Sequence, residues 1–140
     1  MLEKFETREQ ALSALEKAKE SKLKKRLDAW KVFGGGNRDG GLSSVYLAAD
    51  KFPDIQEQAA DAMTDAKTRD NLYFPLAIRL AVGRDSGFHD VAGSVRVIGK
   101  ISQKGVRQSA YDRCSEAFEY FGLHRKFHKD AVDAGLDIQD

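Results

Sequence analysis

The longest apolar run in the chain is LYFPLAIRLAV, residues Leu72–Val82, in which Arg79 is the only charged side chain. This run is too short to span a bilayer, because a membrane-spanning helix needs about 20 apolar residues. It has the length of a helix buried on most sides. Pro75 would fit its first turn, where a missing N–H is tolerated. We therefore expect a central buried helix at Leu72–Val82, with amphipathic helices packed around it.

The composition favours helices throughout. Ala, Leu, Lys, Glu and Arg are plentiful and only two prolines occur, which raises helix propensity. A chain of 140 residues can bury one core without disulfides or metals. The only cysteine, Cys114, cannot form an intramolecular disulfide and so indicates a reducing compartment. We predict one all-α domain over residues 1–140, a compact bundle of six to seven helices.

The chain shows no membrane or export signal. Its first ten residues are charged from Glu3 onward and contain no apolar segment typical of a signal peptide. No window approaches the roughly 18 apolar residues of a transmembrane helix. We therefore expect a cytoplasmic protein that does not bind membranes.

The N-terminal residues carry the pattern of one long helix. Thr7-Arg8-Glu9-Gln10 fits a capping box, with Thr7 as N-cap and Gln10 reaching back to it. Apolar residues then recur at steps of three and four along one seam: Leu12, Leu15, Leu23, Leu27, Trp30 and Phe33. We predict a helix over residues 7–33, which either packs along the body or pairs with a second copy in a homodimer.

A glycine-rich stretch follows this helix. Residues 34–41 read GGGNRDGG, and glycine is costly in either a helix or a strand, so we predict a flexible loop. Gly36 and Gly41 have the spacing of a phosphate-binding loop, but Leu42 stands where that motif needs lysine. The preceding element is also a predicted helix and not a strand. We therefore expect no nucleotide site here.

Residues 42–135 form the predicted helical body. A short stripe starts at Leu42, Pro53 opens the next helix, and Thr68–Asn71 is the predicted break before the central run. The residues Phe88, Val91, Val95 and Ile98 lie on one helical face, whereas Val95, Val97, Gly99 and Ile101 alternate as in a strand. Because an isolated strand would have no partner in this chain, we favour helix.

The three histidines and the cysteine are the first candidates for chemistry. His124 and His128 would share one face of a helix, but a zinc site needs three or four converging ligands and the neighbouring side chains are basic. Cys114 is phased toward the core, where a thiol is a small hydrophobe and not a nucleophile. The Asp61 and Asp65 pair lies on an outer face. We predict no enzyme, no metal and no cofactor.

Charge is distributed unevenly although the formal net charge is only +1. Lys17–Lys31 holds seven basic and two acidic residues, and Ser94–Arg113 holds five basic residues and one acidic residue. Asp50–Asp70 reverses the balance, with six acidic residues and three basic ones. Opposed patches of this kind suit a charged partner, although solvated helix faces often look the same.

The stretch Ile98–Phe121 resembles a helix-turn-helix of the repressor kind. Val91–Ile101 would supply the first helix, Gly105 would lie in the turn, and a second helix would begin at Val106. On that second helix we expect Arg107, Gln108, Ser109 and Tyr111 to face outward. Arg and Gln are the side chains that bind guanine and adenine edges, and Ser can bind either. The motif departs from the usual pattern at Tyr111, where a small β-branched residue is common.

The sequence is compatible with two functions. The first is a small nucleic-acid-binding accessory or regulatory protein that binds duplex DNA. Its predicted contact residues are Lys100, Lys104, Arg107, Gln108 and Ser109, with Lys24, Lys25 and Arg26 on phosphates. The second is a helical protein–protein interaction module, an adaptor or inhibitor without catalytic activity, with exposed Trp, Tyr and Arg as anchors.

Overall fold

A computed structural model describes residues 4–20, 36–83 and 89–139, and these residues form an all-α fold as predicted. No strand occurs in the described ranges. Seven helices lie within them: α1 Arg8–Glu20, α2 Gly36–Ala48, α3 Pro53–Asp61, α4 Ala66–Val82, α5 Val91–Lys100, α6 Lys104–Tyr120 and α7 His124–Asp133.

Helix α1 begins where the capping box places it. The Thr7 hydroxyl oxygen accepts a hydrogen bond from the Gln10 backbone N–H at 3.2 Å. The Gln10 side-chain oxygen accepts one from the Thr7 N–H, also at 3.2 Å. Residues 21–33 of the predicted long helix lie outside the described ranges, as do Lys24, Lys25 and Arg26. Homodimerisation through this helix stays a prediction.

The prediction of a flexible loop over residues 34–41 is wrong for residues 36–41, which are the part of this stretch that the structure describes. Residues 36–41 are helical and form the first half of α2. Packing outweighs the low helix propensity of glycine here: a Cβ on Gly41 would lie 3.6 Å from the Ala18 Cβ. Asp39 is almost fully buried and its carboxylate accepts hydrogen bonds from the Thr64 and Asp65 backbone N–H groups. These tertiary contacts accompany the helix, and a Cβ at Gly41 would make only an ordinary van der Waals contact with Ala18.

Two further predictions, on the start of the central helix and on the position of Pro75 in it, are wrong. Helix α4 begins at Ala66 and continues through Thr68–Asn71, where we predicted a break. Pro75 therefore lies inside the helix and not in its first turn. The helix buries one face, formed by Asp70, Tyr73, Leu76, Ala77 and Ala81. The other side is more open, since Pro75 is exposed and Leu80 only half-buried, so Leu72–Val82 is not buried on most sides.

The chain divides into two compact units, Met1–Arg69 and Asp70–Asp140. In the first unit the core consists mainly of aliphatic side chains, among them Leu15, Leu42, Ile55 and Ala59, together with the ring of Tyr46. The second unit has a larger aromatic core, in which Tyr111, Phe118 and Phe127 are each at least 99% buried. The prediction of one domain stays a prediction.

The choice of helix over strand at Val95–Ile101 is confirmed. Residues Val91–Lys100 form α5, and the Asp90 carboxylate caps it by accepting a hydrogen bond from the Gly93 N–H at 2.8 Å. A methyl group on Gly93 would overlap this carboxylate, which would have to shift away from its capping position. None of the described helices has the length and hydropathy needed to cross a membrane.

Candidate nucleic-acid interface

Helices α5 and α6 are joined by the three residues Ile101, Ser102 and Gln103. The connection has the length found in helix-turn-helix units. It lies earlier than predicted, because Lys104 and Gly105 already belong to α6. A Cβ on Gly105 would meet nothing within 4 Å, so the turn does not depend on this glycine.

The connection is held by Asp70, a fully buried carboxylate on α4. One carboxylate oxygen accepts from the Ser102 N–H at 2.9 Å, and the other from the Gln103 N–H at 3.0 Å. The Ser102 hydroxyl and the Gln103 side-chain amide add bonds of 2.8 and 3.1 Å. Gln103 provides no side-chain cap to α6, and Asp70 instead fixes the two residues that precede the helix, Ser102 and Gln103.

Two opposing effects act on the pKa of Asp70. Burial disfavours the charged carboxylate and raises the pKa, while the hydrogen bonds from Ser102 and Gln103 favour the charged form. The hydrogen bonds prevail, and the pKa of Asp70 lies below its usual value. The carboxylate is therefore ionised at neutral pH and binds the turn as an anion.

The predicted base-reading residues lie on α6, but two of them bind other parts of the chain. Arg107 donates from Nε to the Ile101 carbonyl at 3.2 Å and from a terminal nitrogen to the Ser102 carbonyl at 3.3 Å. Gln108 donates to Asp112 at 2.9 Å and to the Gln139 carbonyl at 2.7 Å. Its oxygen also accepts from the Gln139 N–H at 2.7 Å. Both side chains would have to exchange these bonds in order to read a base.

The prediction that Tyr111 faces outward on α6 is wrong. Its side chain is 1% exposed and its ring stacks on Phe127, with centroids 5.0 Å apart. Its hydroxyl forms a 2.7 Å hydrogen bond with Nδ1 of His128. The large ring fills the core between α6 and α7, which explains the departure from a small β-branched residue. Ser109, in contrast, is exposed as predicted.

Arg96, Lys100 and Arg107 line one open groove of about 500 Å³. The other residues that line it are Val95, Gly99, Ala134, Gly135, Leu136 and Asp137. We call this the basic groove. Lys100 Nζ lies 6.0 Å from the centre of the Tyr73 ring, and Lys104 Nζ forms a 3.3 Å ion pair with Asp137. Asp137 is the one acidic residue among those that line the groove.

Lys100, Lys104 and Arg107 are among the contact residues predicted from the sequence, whereas Arg96 is not. A signal was present, since Arg96 and Lys100 are four residues apart and share a face of α5. Ser109 lies elsewhere, in a second groove of about 570 Å³ that also contains Phe74, Gln103 and Arg113. Among the described residues, Lys100, Lys104 and Arg107 thus lie near one another, and Ser109 lies apart from them.

The cysteine and the histidine pair do not form a reactive or metal-binding site among the described residues. Burial raises the pKa of the Cys114 thiol to about 12, so this cysteine is not a nucleophile near neutral pH. His128 is bound to Tyr111. Among the described residues, no group of three or more His, Cys, Asp and Glu side chains could hold a metal ion.

Comparisons with protein-family models, with curated proteins and with solved structures gave no match.

Proposed function

We propose that this chain is a small nucleic-acid-binding accessory or regulatory protein. The observation that carries the proposal is the convergence of Arg96, Lys100 and Arg107 on the basic groove, with Lys104 at its edge. Phosphate contacts supply most of the affinity of sequence-independent nucleic-acid binding. A groove with several cations and a single acid suits a phosphate backbone.

The hydrogen bonds of α6 favour backbone contacts over base reading. Arg107 is held by the turn carbonyls and Gln108 by Gln139, so both residues would lose bonds on entering a major groove. An Arg107 guanidinium that stays on the turn still presents positive charge to a phosphate. We therefore expect duplex binding with little sequence preference. This differs from the base contacts that the motif alone suggests.

The proposal predicts how strongly duplex binding depends on salt concentration. If the four cations displace four counterions, the logarithm of the binding constant should fall with the logarithm of salt concentration with a slope of about −3.6. Raising the salt from 50 to 200 mM would then weaken binding roughly 150-fold. Fluorescence anisotropy of a labelled, mixed-sequence duplex of 20 base pairs measures both quantities.

A double substitution with a charge-matched control tests the groove itself. Arg96→Gln with Lys100→Gln should reduce the salt slope by about 1.8, because two phosphate contacts are lost. Lys126→Gln with Lys129→Gln changes the net charge equally but lies on α7, where these lysines pair with Asp130 and Asp133. This control should keep the wild-type slope. Equal effects of the two pairs would show that the basic groove is not the binding site.

One observation favours the alternative, a helical protein–protein interaction module without catalytic activity. Tyr120 is 84% exposed, and the neighbouring Phe121 is 41% exposed. Exposed aromatic side chains are common anchors of protein interfaces. If micromolar protein gives no anisotropy change with the duplex at 50 mM salt, the nucleic-acid proposal fails. Tyr120→Ser would then be compared with the wild type in crosslinking experiments.

A further inference from the structure

The segment Leu136–Gln139 runs from the end of α7 along the basic groove. Its direction is set by Gly135, which has a φ of +74° in the left-handed region that favours glycine. The Leu136 N–H donates to the Ala131 carbonyl at 3.1 Å and the Gly135 N–H to the Val132 carbonyl at 2.9 Å. These two bonds form a Schellman motif, which ends α7 and turns the chain toward α5.

Three contacts then hold the segment in place. Leu136 packs on Gly99, where a Cβ would come within 3.2 Å of the leucine side chain. Asp137 pairs with Lys104 at 3.3 Å. The Gln139 backbone exchanges two hydrogen bonds of 2.7 Å with the Gln108 side-chain amide. The segment thus binds one residue at the edge of the basic groove and one on the predicted reading face of α6.

Asp137 brings a carboxylate to the place where the proposed ligand would bring a phosphate. Both are oxygen anions that an ammonium group can pair with. Lys104 and Asp137 are each about two-thirds exposed in this pair, and exposed ion pairs contribute little to stability. The contact is therefore weak enough to be exchanged for a phosphate.

From these contacts we infer that the 136–139 segment is an intramolecular competitor for the basic groove. It occupies the Lys104 ammonium and the Gln108 amide, and it must move aside before nucleic acid can use them. This inference rests on the proposed function. The apparent affinity is reduced in proportion to the fraction of molecules in which the segment is displaced.

The test measures duplex affinity and salt slope by anisotropy for the wild type, Asp137→Asn and Gln139→Pro. Asp137→Asn should tighten binding about two- to five-fold, the equivalent of an exposed ion pair. The slope should stay near about −3.6, because Lys104 contacts a phosphate in the wild type as well once the segment is displaced. Gln139→Pro removes the backbone N–H that donates a hydrogen bond to the Gln108 side-chain oxygen. It should also tighten binding, without a change of charge. The control is Asp133→Asn, which changes the charge equally and releases Lys129 from its 2.8 Å pair.

Each outcome has a distinct meaning. If Asp137→Asn and Asp133→Asn behave alike while the wild type binds, the competitor inference is overturned and the proposed function stands. If neither the wild type nor any variant binds the duplex, both the inference and the proposed function are overturned. As a structural check, the Gln108 side-chain amide signals in an ¹⁵N spectrum should shift when duplex is added to the wild type. Signals that remain in place while the duplex binds would also overturn the inference.

Discussion

Replacing Asp70 by Ala should destabilise the second unit strongly. The substitution removes two hydrogen bonds from backbone N–H groups to a buried, charged acceptor. Each such bond contributes about 1.5–3 kcal/mol, so we expect a loss of about 3–6 kcal/mol. Ser102 and Gln103 are exposed, so water can replace the bonds of their side chains, and these are not added. The loss is a large part of the 5–15 kcal/mol typical of a domain.

Urea unfolding followed by circular dichroism at 222 nm measures this free energy. Hydrogen exchange of the α6 amides assigns the loss to the second unit. Asp133→Ala, which removes an exposed carboxylate from an ion pair with Lys129, is the control and should cost less than about 1 kcal/mol. Asp70→Asn keeps one oxygen acceptor and should fall between the two. A loss below 1 kcal/mol for Asp70→Ala would refute the role assigned to this carboxylate.

The same residue predicts a pH dependence. Because the pKa of Asp70 is lowered in the folded chain, its stabilisation is fully present above the unfolded value of about 3.9. The stabilisation is lost as the pH falls through the folded pKa. The free-energy difference between wild type and Asp70→Ala should therefore shrink below about pH 4. A difference that stays constant down to pH 2.5 would show that the charge contributes nothing.

Three other predictions use the same unfolding measurements or simple labelling. Leu76→Ala should lower the free energy of unfolding by about 2–5 kcal/mol because Leu76 is fully buried. Leu80→Ala should lower it clearly less because Leu80 is only half-buried. Equal losses would contradict the assigned buried face of α4. Gly105→Ala should stabilise by up to about 1 kcal/mol, since a Cβ there meets no atom within 4 Å. In contrast, Gly93→Ala should destabilise by about 0.5–2 kcal/mol through loss of the Asp90 cap. Cys114 should react with a thiol reagent at pH 8 only in denaturant, because burial raises its pKa to about 12; rapid labelling of the native chain would contradict its burial.

Local patterns predicted the elements that depend on neighbours in sequence. The capping box at Thr7 and Gln10, the helix start at Pro53 and the helical choice for Val95–Ile101 all rest on residues within a few positions of one another. Such interactions are readable from spacing alone. The all-α class follows from them.

The errors arise where tertiary contacts outweigh local preference. Glycines at residues 36–41 predicted a loop, but close packing of Gly41 against Ala18 accompanies a helix. Asp70 was missed because its partners are 32 and 33 residues away. A clue was available, since Asp70 falls on the same stripe as Tyr73 and Ala77. A carboxylate in an apolar stripe indicates a buried polar contact.

The Asp70 contact also has a consequence for the order in which the chain folds. The bond to Ser102 closes a loop of 32 residues, and the entropy of closing that loop must be overcome before the bond forms. The first turn of α6 has no side-chain cap of its own, and the two residues before it are fixed by Asp70 of α4. We therefore expect this turn to become fully stable only after α4 has docked. An isolated peptide of residues 104–120 should therefore fray at its beginning, and the amides after Gln103 should be among the late ones to gain protection during refolding.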